Sequence, residues 1–295
     1  MPGDPVPKVA AEMTTIGLLD SGVGGLSVLR EVHTQLPDVT TLYYADQAHL
    51  PYGPRDPAEV RGFVEDITTF LLAQGAQAIV IPCHTACAAG LHSLRARYPH
   101  IPIVGIEPAV KPAAAATCTG TIGVLTTEAT ARSAIYQSVI DRFANGVRVI
   151  TLPAPELVLL AEQGAPDTPD SRQIVQAHIA PLLEAGADQI VLACTHFPFL
   201  IPLLRAAGER AALVDPSAAV ARQVGRVIAG MNNPHPQPLS LMERGFDRRP
   251  HRYYTSGDPV AFAAIARRLL GYDIAAPIPV AASGVLPQPP PPPHA

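Results

Sequence analysis

The chain has 295 residues, 48% of them hydrophobic and 16% charged, with a formal net charge of −4. That balance describes a globular protein with apolar side chains enough for one large or two medium cores, and it excludes a disordered chain. The scattered basic residues give no footprint for nucleic acid or membrane lipid, and no apolar run approaches the length of a membrane span.

Taken in order, the first thirteen residues, MPGDPVPKVAAEM, lack the apolar centre of a signal peptide. A cytoplasmic location is therefore expected, and the four cysteines read as thiols rather than disulfides. Strands are expected at Thr15 to Asp20, Thr41 to Asp46, Ala78 to Cys83, Ile101 to Ile106, Thr121 to Thr126, Val147 to Leu152, Gln189 to Cys194 and Ala211 to Pro216. Ala/Leu-rich amphipathic stretches separate them, and this alternation predicts βαβ units and parallel sheets. The basic stretch RRPHR, Arg248 to Arg252, reads as a solvated loop, and the Pro-rich Asn233 to Gly245 as an exposed one. The chain closes on LPQPPPPPHA, so residues 1–13 and 276–295 are expected to be flexible tails.

Two of the expected strands belong to an internal repeat. LLAQGAQAIVIPC, Leu71 to Cys83, aligns without a gap on LLEAGADQIVLAC, Leu182 to Cys194. Each reads as a helix end, a glycine stop and a buried strand that carries a thiol at its carboxyl end. Upstream, IGLLD at Ile16 is matched by IGVLT at Ile122, and downstream each cysteine is followed by an apolar helix with a Leu-Arg pair. Self-similarity on this scale predicts an α/β fold of two pseudo-symmetric parallel-sheet domains facing each other across an active-site cleft. Ligands bind outside the carboxyl ends of parallel strands, so Cys83 and Cys194 would view one ligand from opposite sides. The alternative is a pair of buried core cysteines, which is common for this residue type.

Inverting a stereocentre by proton transfer needs a base on one face of the carbon and an acid on the other, and two facing thiols meet that need. A free cysteine titrates at roughly 8.5, and a helix N-terminus or a nearby cation lowers that value, so depressed thiols are expected here. Asp20, closing the first strand, and His196, two residues past Cys194, are the candidate partners; an N-cap role for Asp20 and a structural role for His196 are the alternatives. The Gly-rich DSGVGGLS, Asp20 to Ser27, with Asp46 beyond it, comes near a dinucleotide fingerprint but has Ser27 at the third glycine. Its helix-opening amides would equally hold a substrate carboxylate. Cys83, His84 and Cys87, or Cys194 and His196, lack the paired spacing of a zinc site, and Cys87 reads as packing inside a helix. No metal is expected.

IGLLDSGVGGLSVLREV, YYADQAHLPYGPRDPAEV, IVIPCHTA, TTEATARSAIY, ACTHFPFL and YYTSGDPVAF, in this order and spacing, resemble the glutamate racemase family (aspartate/glutamate racemases). The resemblance implies cofactor-independent interconversion of L- and D-glutamate, a supply of D-glutamate for peptidoglycan, and no cofactor or metal. It implies catalytic roles for Cys83, Cys194, Asp20 and His196, with Cys83 acting on the D-enantiomer. Ser21, Pro51, Tyr52, Gly53, Thr85, Thr127, Thr130 and Thr195 match positions that hold substrate. It also implies a first domain of residues 14–107 plus 217–272 and a second of 108–216. The partner implied is a small-molecule amino acid, and a homodimer is compatible with the resemblance. The family usually has asparagine after the first cysteine, where this chain has His84, and serine is usual where it has Cys87. A protonated His84 against the substrate head would favour the neighbouring thiolate. The departure keeps open a racemase of another acidic amino acid, such as aspartate, and an idle homologue used for binding.

Overall fold

A computed structural model describes residues 14–231 and 250–281. Its strands are β1 (Thr15–Asp20), β2 (Thr40–Ala45), β3 (Ala78–Ile81), β4 (Ile103–Gly105), β5 (Thr121–Thr126), β6 (Arg148–Pro153), β7 (Gln189–Ala193), β8 (Ala212–Val214), β9 (Arg252–Thr255) and β10 (Ile278–Pro279). Its helices are α1 (Leu26–Gln35), α2 (Pro57–Ala73), α3 (His84–Arg97), α4 (Val110–Ala116), α5 (Glu128–Ala131), α6 (Ala134–Phe143), α7 (Pro155–Glu162), α8 (Pro169–Glu184), α9 (Ile201–Ala207), α10 (Ser217–Met231) and α11 (Pro259–Leu270).

The strands form two parallel sheets, ordered β10-β9-β2-β1-β3-β4 and β6-β5-β7-β8. The run β2-β1-β3-β4 in the first sheet is repeated as β6-β5-β7-β8 in the second, which makes β3 and β7 equivalent. The internal sequence repeat now has a physical cause. Gly75 and Gly186 both have positive φ, 95° and 88°. In each, the glycine N–H donates to the carbonyl of Leu72 or Leu183, and the next alanine N–H to that of Leu71 or Leu182. That paired bonding is the Schellman stop, which favours glycine at its left-handed position. The repeated leucines then pack on strand glycines: a Cβ at Gly17 would stand 3.0 Å from Leu71, and one at Gly123 would stand 2.9 Å from Leu182. One apolar cluster packs about the first sheet, and two more enclose side chains of the second.

Three expectations change. β3 stops at Ile81 rather than Cys83, because Pro82 has no N–H to continue the ladder. The solvated loop expected at Arg248 to Arg252 becomes structured where it is described: Arg252 opens β9 and donates to the carbonyl of Gln74 at 2.9 Å, and His251 bonds the Thr41 hydroxyl at 2.9 Å. The tail expected from residue 276 instead pairs Ile278 and Pro279 with β9. Arg248, Arg249, the stretch 233–245, and residues 1–13 and 282–295 lie outside the described residues.

Candidate active site

Because β3 and β7 are equivalent and parallel, both thiols emerge at the same end of their sheets. Cys83 is the N-cap of α3, its sulfur accepting from the Ala86 N–H at 3.5 Å, and Cys194 directly follows β7. Each is 6% exposed. The Cys83 thiol faces the Ser21 hydroxyl at 3.9 Å, while Cys194 Sγ lies 3.5 Å from His196 Nδ1. Asp20, fully buried at the end of β1, accepts from the Gly22 N–H at 3.1 Å. It does not cap α1, whose N-cap is Gly25.

The two sheets are stitched together at this point. The Thr195 hydroxyl donates to Asp20 Oδ2 at 3.1 Å, and the Ser27 hydroxyl to the Thr195 carbonyl at 3.0 Å. On the other side the Thr85, Thr127 and Thr130 hydroxyls form one network, with Thr85 and Thr127 at 2.9 Å. Pro51, Tyr52 and Gly53 form the loop before α2. The Tyr52 hydroxyl donates to the buried Asp46 at 2.7 Å, and a Cβ at Gly53 would reach Thr127 at 3.5 Å.

Electrostatics departs from expectation at the first thiol. The bond from Ala86 favours the Cys83 thiolate, but burial, aided by the nearby charges of Asp20 and Cys194, pushes the thiol well above its ordinary range. Burial likewise raises Asp20 to about 6, against the opposing pull of His196. For His196 burial acts downward, but the hydrogen bonds and negative charges of Cys194 and Glu162 outweigh it and raise the imidazole well above its usual value. The expected protonated His84 is also overturned. Burial lowers it to about 3, so the ring is neutral, and neither ring nitrogen has a hydrogen-bond partner. Cys87 packs as expected, its sulfur lying where a Cβ on Gly105 would collide with it.

Sequence reasoning missed Glu162. Ending α7, it bonds His196 Nε2 at 2.7 Å and accepts from the Val23 N–H at 2.8 Å. It therefore fills the glycine loop whose amides would otherwise face a phosphate or a substrate carboxylate, and a Cβ at Gly22 would collide with it. That occupancy removes the dinucleotide reading. The signal available was a single acid closing the apolar run ELVLLAE just before a glycine, and nothing local tied it to His196. Among the described residues, no group of three or more His, Cys, Asp or Glu is placed to hold a metal.

The Asp/Glu/hydantoin racemase family matches residues 16–224. The chain belongs to that family. A glutamate racemase of Ectopseudomonas mendocina is 47% identical over 257 residues, 87% of this chain and 94% of its own length. One from Roseiflexus is 44% identical, covering 86% and 91%. Among solved structures, the glutamate racemase of Bacillus anthracis has a TM-score of 0.78 at 32% identity, covering 90% of this chain and 97% of its own. That of Escherichia coli, in complex with L-glutamate and the activator UDP-MurNAc-ala, has a TM-score of 0.78 at 29% identity, covering 92% and 99%. The racemase fold of two parallel α/β sheets is thus shared along nearly the whole of this chain. No helix among the described residues is long and apolar enough to cross a membrane.

Proposed function

We propose that the chain interconverts L- and D-glutamate by two-base proton transfer between Cys83 and Cys194, with no cofactor. The observation that carries this reading is a thiol at the end of each of two equivalent strands, each beside its own acid/base group. The His196 imidazole, raised well above its usual value, lies 3.5 Å from Cys194 Sγ, and a cation beside that sulfur suits it to take the α-proton of L-glutamate. Cys83, held protonated by burial and by Asp20, returns a proton on the opposite face. In the reverse direction Cys83 acts on D-glutamate, with Asp20 as its partner. Asp20, at about 6, lies near a range useful for proton exchange.

Ser21, Tyr52, Gly53, His84, Thr85, Thr127, Thr130 and Thr195, with Pro51 shaping the loop, are assigned to the substrate. The domains assigned are residues 14–107 plus 217–272, and 108–216, each built on one sheet. D-glutamate for peptidoglycan, a cytoplasmic location and a homodimer belong to the same reading; the glutamate substrate itself is supported by the glutamate racemases the chain resembles, one of them solved with L-glutamate. A chiral assay on each enantiomer of glutamate and aspartate, without added cofactor, tests it. Turnover of glutamate is expected; turnover of aspartate alone would transfer the site to that substrate, the alternative His84 raises.

A further inference from the structure

We propose that Gln47 is a positioning residue whose side-chain amide, fixed by Thr255, holds Glu162 in the orientation from which it supports His196 and the Cys194 thiol. This rests on the racemase reading, because it concerns the partner of the second base. Gln47 opens a short 3-10 turn, Gln47–His49, just past β2. Its Nε2 donates to Glu162 Oε2 at 3.3 Å, while Oε1 of the same carboxylate serves His196 and the Val23 N–H. The two oxygens thus have separate tasks. The last torsion of a glutamate side chain is soft, and donors on both oxygens pin it.

The amide is itself oriented. Thr255, fully buried in β9, donates from its hydroxyl to Gln47 Oε1 at 2.9 Å and accepts from the Gly257 N–H at 3.0 Å. A hydroxyl has one proton to give. Spending it on Oε1 commits the amide NH₂ to the other side, toward Glu162. Gly257 leaves room for this side chain, since a Cβ there would stand 2.9 Å from the Cβ of Gln47 and 3.1 Å from its Oε1. Asparagine would fall one methylene short, and glutamate would set a second carboxylate against Glu162. A chain of polar contacts therefore runs from Thr255 through Gln47, Glu162 and His196 to Cys194, from the first sheet to the end of β7 in the second.

Losing Gln47 leaves substrate contacts in place and weakens the hold on the Glu162–His196 pair. Gln47→Met keeps side-chain length and removes both polar atoms. With L-glutamate, kcat is expected to fall about tenfold to hundredfold, as for lost hydrogen bonds to charged groups, with KM nearly unchanged and the acid limb of the pH profile moved to higher pH. Thr255→Val should act in the same direction, Thr255→Ser should restore the wild-type profile, and Gln47→Met/Thr255→Val should be no worse than Gln47→Met alone. A Gln47→Met variant with wild-type kcat and pH profile overturns the proposal, as does a change confined to KM or an additive double variant. Wild type assayed alongside separates the two readings: if it does not turn over glutamate, the glutamate reading fails by itself. The His196 ring titration, followed by NMR and assigned with His196→Asn, then decides for Gln47. A titration identical in wild type and Gln47→Met overturns the proposal, and a shifted one upholds it.

Discussion

Asp20 shows how the site draws on the fold's stability. Its carboxyl sits at about 6 in the fold against an ordinary 3.8, because burial disfavours the charge. A raised folded value stabilises the protein below the unfolded value and loses that contribution as pH rises through the folded one. Asp20→Asn should therefore melt higher than wild type above about pH 6, with the difference closing as pH falls toward 4. If Asp20 works as a base, the same variant also loses the activity limb near pH 6, which a kcat profile on D-glutamate reads directly. Among the thiols, Cys83→Ala and Cys194→Ala should each abolish racemisation in both directions, whereas Cys87→Ala and Cys118→Ala should retain it. Cys87 packs in α3 and Cys118 is exposed beside Asp188, away from both strand ends. His84, neutral and without partners, should give no pH shift through the neutral range when changed to asparagine. A changed KM in that variant would place the ring on the substrate, and unchanged constants would remove it from the site.

At the scale of elements, the repeat was legible because each of its letters has a local cause. Leucine, glycine-alanine, β-branched strand and terminal cysteine encode a helix stop and a buried strand, and both copies fold that way. β1 and β5 lie where expected, and the other six expected strands shift by one or two residues at their ends; at the end of β3 and the start of β4 a proline, Pro82 or Pro102, removes a donor. β9 and β10 were not legible. Arg252–Thr255 is a short stretch following a basic, Pro-containing run, and it becomes a strand because β2 has a free edge for it to pair with. Gly105 tests the packing of α3 on β4. Its added methyl in Gly105→Ala would meet Cys87 Sγ and Leu91, so a loss of about 1–3 kcal/mol is expected in chemical denaturation. Cys87→Ala in the same chain should recover part of that loss, and no recovery would show that another contact carries the cost.

For the whole molecule, the site exists only where the two sheets meet. Thr85 with Thr127 and Thr130, Thr195 with Asp20, and Glu162 with Val23 each join one sheet to the other. Exhaustive dialysis against a chelator should leave activity intact, with no pyridoxal or flavin absorbance. Of the chain's lysines, Lys8 lies outside the described residues and Lys111 rests over the Phe143 ring at 5.2 Å. Recovery only on adding metal or pyridoxal phosphate would refute this. Because the enantiomers have equal free energy, any variant must also lower kcat/KM equally in both directions, whichever thiol it affects.

By itself the sequence determined the two α/β halves, the equivalence of Cys83 and Cys194, and the family resemblance that marks Asp20 and His196. These rest on local periodicity, glycine stops and spacing, which are properties of neighbours along the chain. Only the tertiary structure decided that Glu162 pairs with His196, that Gln47 reaches Glu162 across 115 positions, and that burial reverses the expected ionisation of Cys83 and His84. Desolvation and contacts between distant residues depend on what surrounds a group in space, and no local pattern carries that information.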